Sequence, residues 1–138
     1  MLKLSILSPE RRILNQAEAM ELTLPTAEGQ IQILPGHAAM VGVLHTGVLE
    51  VQLKGQGSKI AFLSTGFFQV HDDEVMIMAE TLELPGEIDL ERAKRAQLKA
   101  EQELVRAELS EQSFKKYQLK LQRSLIRQQL AGRTGTHA

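Results

Sequence analysis

Few residues of this 138-residue chain have the types and spacing that chemistry requires. His37, His45 and His71 are scattered through segments that read as turns and strand ends, without the close pairing of a zinc site. There is no cysteine, which excludes thiolate ligands, disulfides and cysteine nucleophiles. Asp72 and Asp73 are adjacent and read as a solvated turn rather than as a general acid and base, and Ser64-Thr65-Gly66 lacks the surroundings of a nucleophile elbow. Neither a Walker loop nor a Gly-rich dinucleotide turn is present. We therefore expect no catalytic residues, no metal site and no required cofactor. The exception to this blandness is cationic. Arg92 and Lys99 are seven residues apart on one helical stretch, Arg123 and Arg127 are four apart on another, and guanidinium forks suit phosphate oxygens. Periodicity alone favours a solvated basic face over an anion site.

Charge is unevenly placed. Residues 1–86 hold ten acids and five bases, whereas residues 87–131 hold seven acids and ten bases. From Gln112 to Ala131 the bases Lys115, Lys116, Lys120, Arg123 and Arg127 meet no acid. Such a segment repels itself and favours an anionic partner. Nucleic acid is not that partner, because the preceding region is acidic and aromatics are too few for a stacking platform.

The elements that must position these cations divide at one joint. All four prolines and eight of the ten glycines lie at or before Gly86, and residues 87–131 contain neither. Strands and turns need that punctuation, and helices avoid it. Residues 1–86 are read as an antiparallel β-sandwich of about ten strands, with alternation in Leu2–Ile6, Met20–Leu24, Gln30–Ile33, Val48–Leu53 and Glu74–Ala79. Pro25 is expected to end the second strand. Lys54-Gly55-Gln56-Gly57 reads as a hairpin connection.

Residues 87–138 are read as a helical hairpin, capped at its start by Asp89. Ala93, Ala96, Ala100, Leu104 and Ala107 form one stripe of small residues, and Phe114, Tyr117, Leu121 and Leu125 a second stripe to cover it. A bend is expected within Leu109–Ser113, although one continuous helix also fits. Gly132 should stop the helix, leaving residues 133–138 as a frayed tail. No apolar run approaches the ~20 residues of a membrane helix, and no signal peptide is evident after Met1.

Three segments in this order and spacing resemble the epsilon subunit of bacterial F-type ATP synthases. Glu28-Gly29-Gln30-Ile31-Gln32-Ile33-Leu34-Pro35-Gly36-His37-Ala38 is similar to the family's glycine-then-PGHA segment, Leu63–Val70 to its SGGxxEV strand pair, and Ile88–Ala93 to its (I/L)DxxRA helix start. The resemblance runs from Leu4 to about Leu130. It implies a ten-stranded sandwich and a helical hairpin in a non-catalytic rotor subunit of a proton-translocating synthase. It further implies a place on the cytoplasmic face of the bacterial inner membrane, held there only through the complex.

The implied partners are the gamma subunit and the ring of c subunits, with Gln30 and His37 near the ring. In many members the hairpin extends into the catalytic head and restrains ATP hydrolysis. Lys115, Lys116, Lys120, Arg123 and Arg127 would then face acidic helices of the beta subunits, beside alpha. Some members also hold a regulatory ATP on the folded hairpin. Glu83, Ile88, Asp89, Arg92 and Ala93 match those motif positions, and Arg123 and Arg127 match the two arginines of the second helix with a bend one residue longer. Lys99 replaces an arginine and removes a fork, and Ala39 stands where a proline commonly follows the GHA triplet. Two other readings remain open: an ATP-sensing domain whose rotor binding is secondary, and a β-sandwich interaction module unrelated to the synthase.

Overall fold

The computed structural model describes residues 1–106 and 108–131. Among them lie seven strands and two α-helices: β1 (Leu2–Leu7), β2 (Arg12–Thr26), β3 (Gly29–Ile33), β4 (Met40–Leu44), β5 (Gly47–Leu53), β6 (Gly57–His71), β7 (Glu74–Glu83), α1 (Leu90–Leu104) and α2 (Glu111–Ala131). The expected positions for Ala107, Gly132 and the tail 133–138 lie outside the described residues.

The strand count is seven rather than about ten because β2 and β6 each run for 15 residues. Each serves several neighbours in succession. β2 pairs with β1 through Arg12 to Ala19, with β5 through Ala19 to Thr23 and with β3 through Leu22 to Thr26. Pro25 consequently sits inside β2, opposite Gln30, and the strand ends one residue later. Pairing closes a ring through β1, β2, β5, β6 and β7, flattened into a sandwich, with β3 beside β2 and β4 beside β6. The sandwich is not wholly antiparallel: β1 and β7 pair in parallel, Lys3 opposite Glu74 through Leu7 opposite Met78. The first and last strands can do so because the intervening sheet supplies the crossover that a parallel pair needs.

Leu2, Leu4, Leu22, Leu24, Ile33, Leu63, Phe68 and Ile77 are all within 1% of complete burial and fill the space between the layers. Turn chemistry follows the residues. Gly55 and Gly57 take positive φ of 74° and 72°, as their hairpin requires, and Asp72 and Asp73 take 48° and 61° in the β6–β7 hairpin. Asp73 also accepts from the Gly36 amide at 2.7 Å, tying that turn to the loop after β3.

The joint is a single 3-10 turn, Pro85–Glu87. Asp89 caps α1, accepting the Arg92 amide at 3.0 Å. α1 ends at Leu104 and α2 begins at Glu111, so the break takes in Leu109 and Ser110 of the expected bend while Glu111 to Ser113 belong to α2, and Ser110 caps α2 through the Ser113 amide at 3.1 Å. The helices fold back on each other, and Gln97 and Gln128 are joined at 2.6 Å. Ala93 and Ala100 are buried between them, while Ala96 stays open to a cleft. The second stripe is shifted from expectation. Phe114 and Leu125 are 43% and 41% exposed, and Ser124 is the buried residue, its hydroxyl donating to the Leu121 carbonyl at 2.8 Å. Burying small residues, Ala93 and Ala100 on α1 and Ser124 on α2, allows a close approach that Phe114 or Leu125 would prevent.

Leu130 of α2 is buried against Ile60 and Phe62 of β6, flanked by the half-buried Val48, Ile88 and Ile126. This small cluster, separate from the sandwich core, is what seats the hairpin on the sheet.

Candidate functional site

A cleft of about 390 Å3 lies where the joint, α1 and α2 meet. The joint side supplies Glu83, Glu87 and Ile88; α1 and its cap supply Asp89, Arg92, Ala93, Ala96, Lys99 and Ala100; α2 supplies Tyr117, Lys120, Arg123 and Arg127. All eight residues that the sequence suggested for a nucleotide, Glu83, Ile88, Asp89, Arg92, Ala93, Lys99, Arg123 and Arg127, therefore line one space. Small side chains along α1 keep it open. Helical spacing does the rest, since Tyr117, Lys120, Arg123 and Arg127 follow each other at steps of three, three and four on one face.

The electrostatics are sorted along the cleft. At the joint end every carboxylate is already engaged. Glu83 receives Arg127 Nε at 2.6 Å, and the Arg127 guanidinium also lies 4.5 Å from the centroid of the Phe62 ring. Asp89 is occupied with the helix cap. Glu87 takes both Arg11 terminal nitrogens, at 2.5 and 2.6 Å, and the Leu84 amide at 2.8 Å. Arg11 additionally donates to the Leu82 carbonyl at 2.9 Å. The hydrogen bonds from Arg11, and then from the Leu84 amide, hold the Glu87 carboxyl down to about 2, and the same Glu87 bond raises the Arg11 pKa.

The cations of the cleft are less engaged than its carboxylates. Arg92, Lys99, Lys120 and Arg123 line the cleft without an ion-pair partner among the described residues. The Nε of Arg123 is buried and makes no hydrogen bond. A buried guanidinium nitrogen without a partner is costly. The arrangement suits an anionic ligand.

Three of the five basic residues assigned from sequence to a partner contact, Lys120, Arg123 and Arg127, thus face this cleft. Lys115 lies outside it, 3.6 Å from Glu111, and Lys116 reaches over the Tyr117 ring at 5.5 Å. Gln30 and His37 are not brought together. Gln30 is exposed at the start of β3, and His37 lies past its other end, in a turn closed by its own amide on the Leu34 carbonyl at 3.1 Å. Sequence reasoning missed Tyr117 and Lys120 as cleft residues although the α2 spacing carried that signal. Arg11 had no local signal, because its partner is 76 residues away.

A second surface is unlike the rest of the sandwich. On the outer side of the β4–β6–β7 sheet, Val41 and Val43 are 73% and 63% exposed, beside Phe67 and Met76. Register makes them one patch, with Val43 opposite Phe67 and Phe67 opposite Met78, and Val41 opposite Gln69 and Gln69 opposite Met76. A contiguous apolar sheet face of this kind marks an interaction surface. Among the described residues no group of His, Asp or Glu could hold a metal ion, and no helix is long and apolar enough to cross a membrane.

Residues 1–85 match the family model of the ATP synthase Delta/Epsilon chain β-sandwich domain, and residues 87–132 match that of the Delta/Epsilon chain long α-helix domain. The ATP synthase epsilon chain of Bdellovibrio bacteriovorus is 44% identical over 94 residues, covering 67% of each chain. That of Desulfitobacterium hafniense is 42% identical over 106 residues, covering 76% of this chain and 78% of its own. Among solved structures, a chain of the Euglena gracilis mitochondrial ATP synthase, in an OSCP/F1/c-ring assembly, superposes with a TM-score of 0.80 at 26% identity, covering 95% of this chain and 80% of that one. A chain of the Tetrahymena thermophila mitochondrial central stalk and c-ring gives 0.71 at 16% identity, covering 94% and 96%, a likeness of fold alone.

Proposed function

This chain belongs to the ATP synthase Delta/Epsilon family, as a non-catalytic epsilon-type subunit of the central stalk, and from that premise we propose that its two halves divide anchoring from regulation. The sandwich is the anchor. Its exposed apolar face at Val41, Val43, Phe67 and Met76 suits burial against the gamma subunit, and β3 with the turn after it, which carry Gln30 and His37, are offered to the c ring. Association with the bacterial membrane then comes through the complex, on its cytoplasmic side, and the subunit shares in coupling proton-driven rotation to ATP synthesis.

The hairpin is the brake on ATP hydrolysis. The observation that carries this reading is the separation of the two cores: among the described residues α2 meets the sandwich through the small cluster of Ile60, Phe62 and Leu130 with its half-buried neighbours, the Glu83–Arg127 pair and the Arg127–Phe62 contact, so the hairpin can leave without opening the main core. Extended, it would present Lys115, Lys116, Lys120, Arg123 and Arg127 to acidic helices of the beta subunits, beside alpha. Folded, it would hold a regulatory ATP in the cleft, with the carboxylate end toward the base and the cationic end toward the phosphates. ATP bound only to the folded form would shift the equilibrium toward it. The cleft also gives ground to a second reading, in which nucleotide sensing is primary and rotor binding secondary.

The deciding experiment is ATP hydrolysis by the gamma-containing catalytic head, with full-length chain or with a truncation after Gly86. Both should bind and only the full chain should inhibit. Binding of neither overturns the anchor, and binding of both without inhibition overturns the brake. Calorimetric titration with ATP tests the cleft separately; no heat at millimolar ATP removes the nucleotide.

A further inference from the structure

The two layers of the sandwich part at the end where β5 turns into β6, and a cavity of about 400 Å3 opens between them. Ile6 of β1 and Leu14 of β2 form one wall, and Val51 and Leu53 of β5 with Ala61 of β6 form the other. Leu84, Pro85 and Gly86 of the joint lie over it. This roof is pinned: Glu87 accepts the Leu84 amide at 2.8 Å and is itself held by Arg11, which also donates to the Leu82 carbonyl at 2.9 Å. A pre-formed, mostly apolar space within the range of about 300–1,000 Å3 is what a small-molecule site requires. The cavity shares no lining residue with the cleft between the helices.

One lining residue is unlike the others. Lys59 pairs opposite Val51 and stands two residues before Ala61, and side chains two apart on a strand share a face, so Lys59 leaves β6 on the core side. Its stem can line the cavity while its ammonium stays at the mouth, where the residue is exposed. The adjacent Ser58 is on the opposite face, with its hydroxyl 3.3 Å from Glu50, so that carboxylate does not neutralise Lys59. Among the described residues Lys59 has no ion-pair partner, and the cavity lining contains no acid; Gln56 is its only other polar side chain. An inward-pointing lysine can also blunt a strand edge, and residues 57–61 of β6 pair with β5 alone, but that role needs no cavity behind the charge. We propose that this end of the sandwich binds a single-chain aliphatic carboxylate, a medium-length fatty acid. Its chain lies between the layers under Leu84, and its carboxylate accepts from the Lys59 ammonium and the Gln56 amide.

The test is calorimetric titration of octanoate, decanoate and decanol, below their micelle or solubility limits, into the full chain as wild type, K59Q and K54Q. Lys54 is on the same hairpin but outside the lining, which makes it a matched control. Decanoate should bind about 15-fold more tightly than octanoate, because two more methylenes are buried. K59Q should weaken decanoate about tenfold and leave decanol unchanged, since a charge-assisted bond to the carboxylate is lost. K54Q should alter neither. Methyl NMR of the wild type with decanoate should move Ile6, Leu14, Leu53 and Leu84 and leave Val41 and Val43 of the outer sheet face in place. No binding at millimolar decanoate overturns the site, as do equal affinities for octanoate and decanoate or shifts confined to Val41 and Val43. Equal loss of decanoate and decanol in K59Q, no loss in K59Q, or the same loss in K54Q overturns the role of Lys59 and the choice of a carboxylate.

Discussion

Leu130→Ala should release the hairpin while leaving the sandwich folded. The Leu130 side chain is 1% exposed, in a cluster whose other buried members are only Ile60 and Phe62. Truncation removes three buried carbons, which at about 0.8 kcal/mol each amounts to ~2.4 kcal/mol before any cavity cost. Substitutions of this kind generally cost about 2–5 kcal/mol, so the estimate sits at the low end, as expected where neighbours can collapse into the gap. Taken wholly from the docked state, ~2.4 kcal/mol raises the undocked population about 50-fold. Amide hydrogen exchange should read this directly: protection in the last turns of α2 should fall by that order, while amides of β1, β6 and β7 beside Leu4, Leu63 and Ile77 keep theirs. Unchanged exchange in α2 would show that the cluster does not hold the hairpin. Equal loss in the sandwich would show that hairpin and sandwich open as one unit, and the separable brake would fall with it.

Glu87→Gln tests the link between Arg11 and the joint. The folded-state pKa of Glu87, about 2, lies below its ordinary 4.5, so the pair stabilises the fold fully above pH ~4.5 and loses its effect as the pH falls toward 2. Both side chains are about 40% exposed, which limits the gain to ~1 kcal/mol; in urea unfolding the gap between wild type and E87Q should be of that size at pH 7 and shrink below pH 4.5, and a gap that is the same at pH 7 and pH 3 contradicts the assignment. Ala100→Leu should overpack the α1–α2 contact by about 1–3 kcal/mol. Ala100→Glu should cost less because Lys99, Lys120 and Arg123 share its cleft and can pair with the new carboxylate; greater loss of α2 exchange protection in A100E than in A100L would refute that. Gly66→Ala would drive its new methyl into the Met78 carbonyl and the Ala79 backbone, neither of which can rotate away, so the sandwich should lose more than ~2 kcal/mol, and an unchanged urea midpoint would contradict the β6–β7 register.

The parts of the fold that were legible in sequence are those where one local rule decides. Asp89 before an uninterrupted helical run, Gly55 and Gly57 between two strands, and the alternating burial of Leu2, Leu4 and Ile6 all came out as their residue types require. The misreadings occur where an element serves two environments. The residues from Arg12 to Ala19 show no clean alternation, because the strand is irregular against β1, shifting register twice, and Gln16 takes a positive φ of 52° to donate its amide to Ser5 Oγ at 3.0 Å. Pairing that passes from one neighbour to the next makes two long strands read as several short ones. The parallel contact of β1 with β7 joins the two ends of the sandwich, and no local pattern encodes it.

The candidate site divides along the same line. Its cations were visible because helical spacing places them on one face. The contact that positions their helix was written in β6 and was not read. Ile60, Ala61, Phe62, Leu63 and Ser64 are five consecutive buried residues, and a strand exposed on one side cannot show such a run. Ala61 and Leu63 face the sandwich core, and Ile60 and Phe62 face α2. The same Phe62 lies under the Arg127 guanidinium that binds Glu83. One ring thus joins the seat of the hairpin to the wall of the cleft, so the packing of Leu130 and the pairing of Arg127 with Glu83 depend on the same side chain.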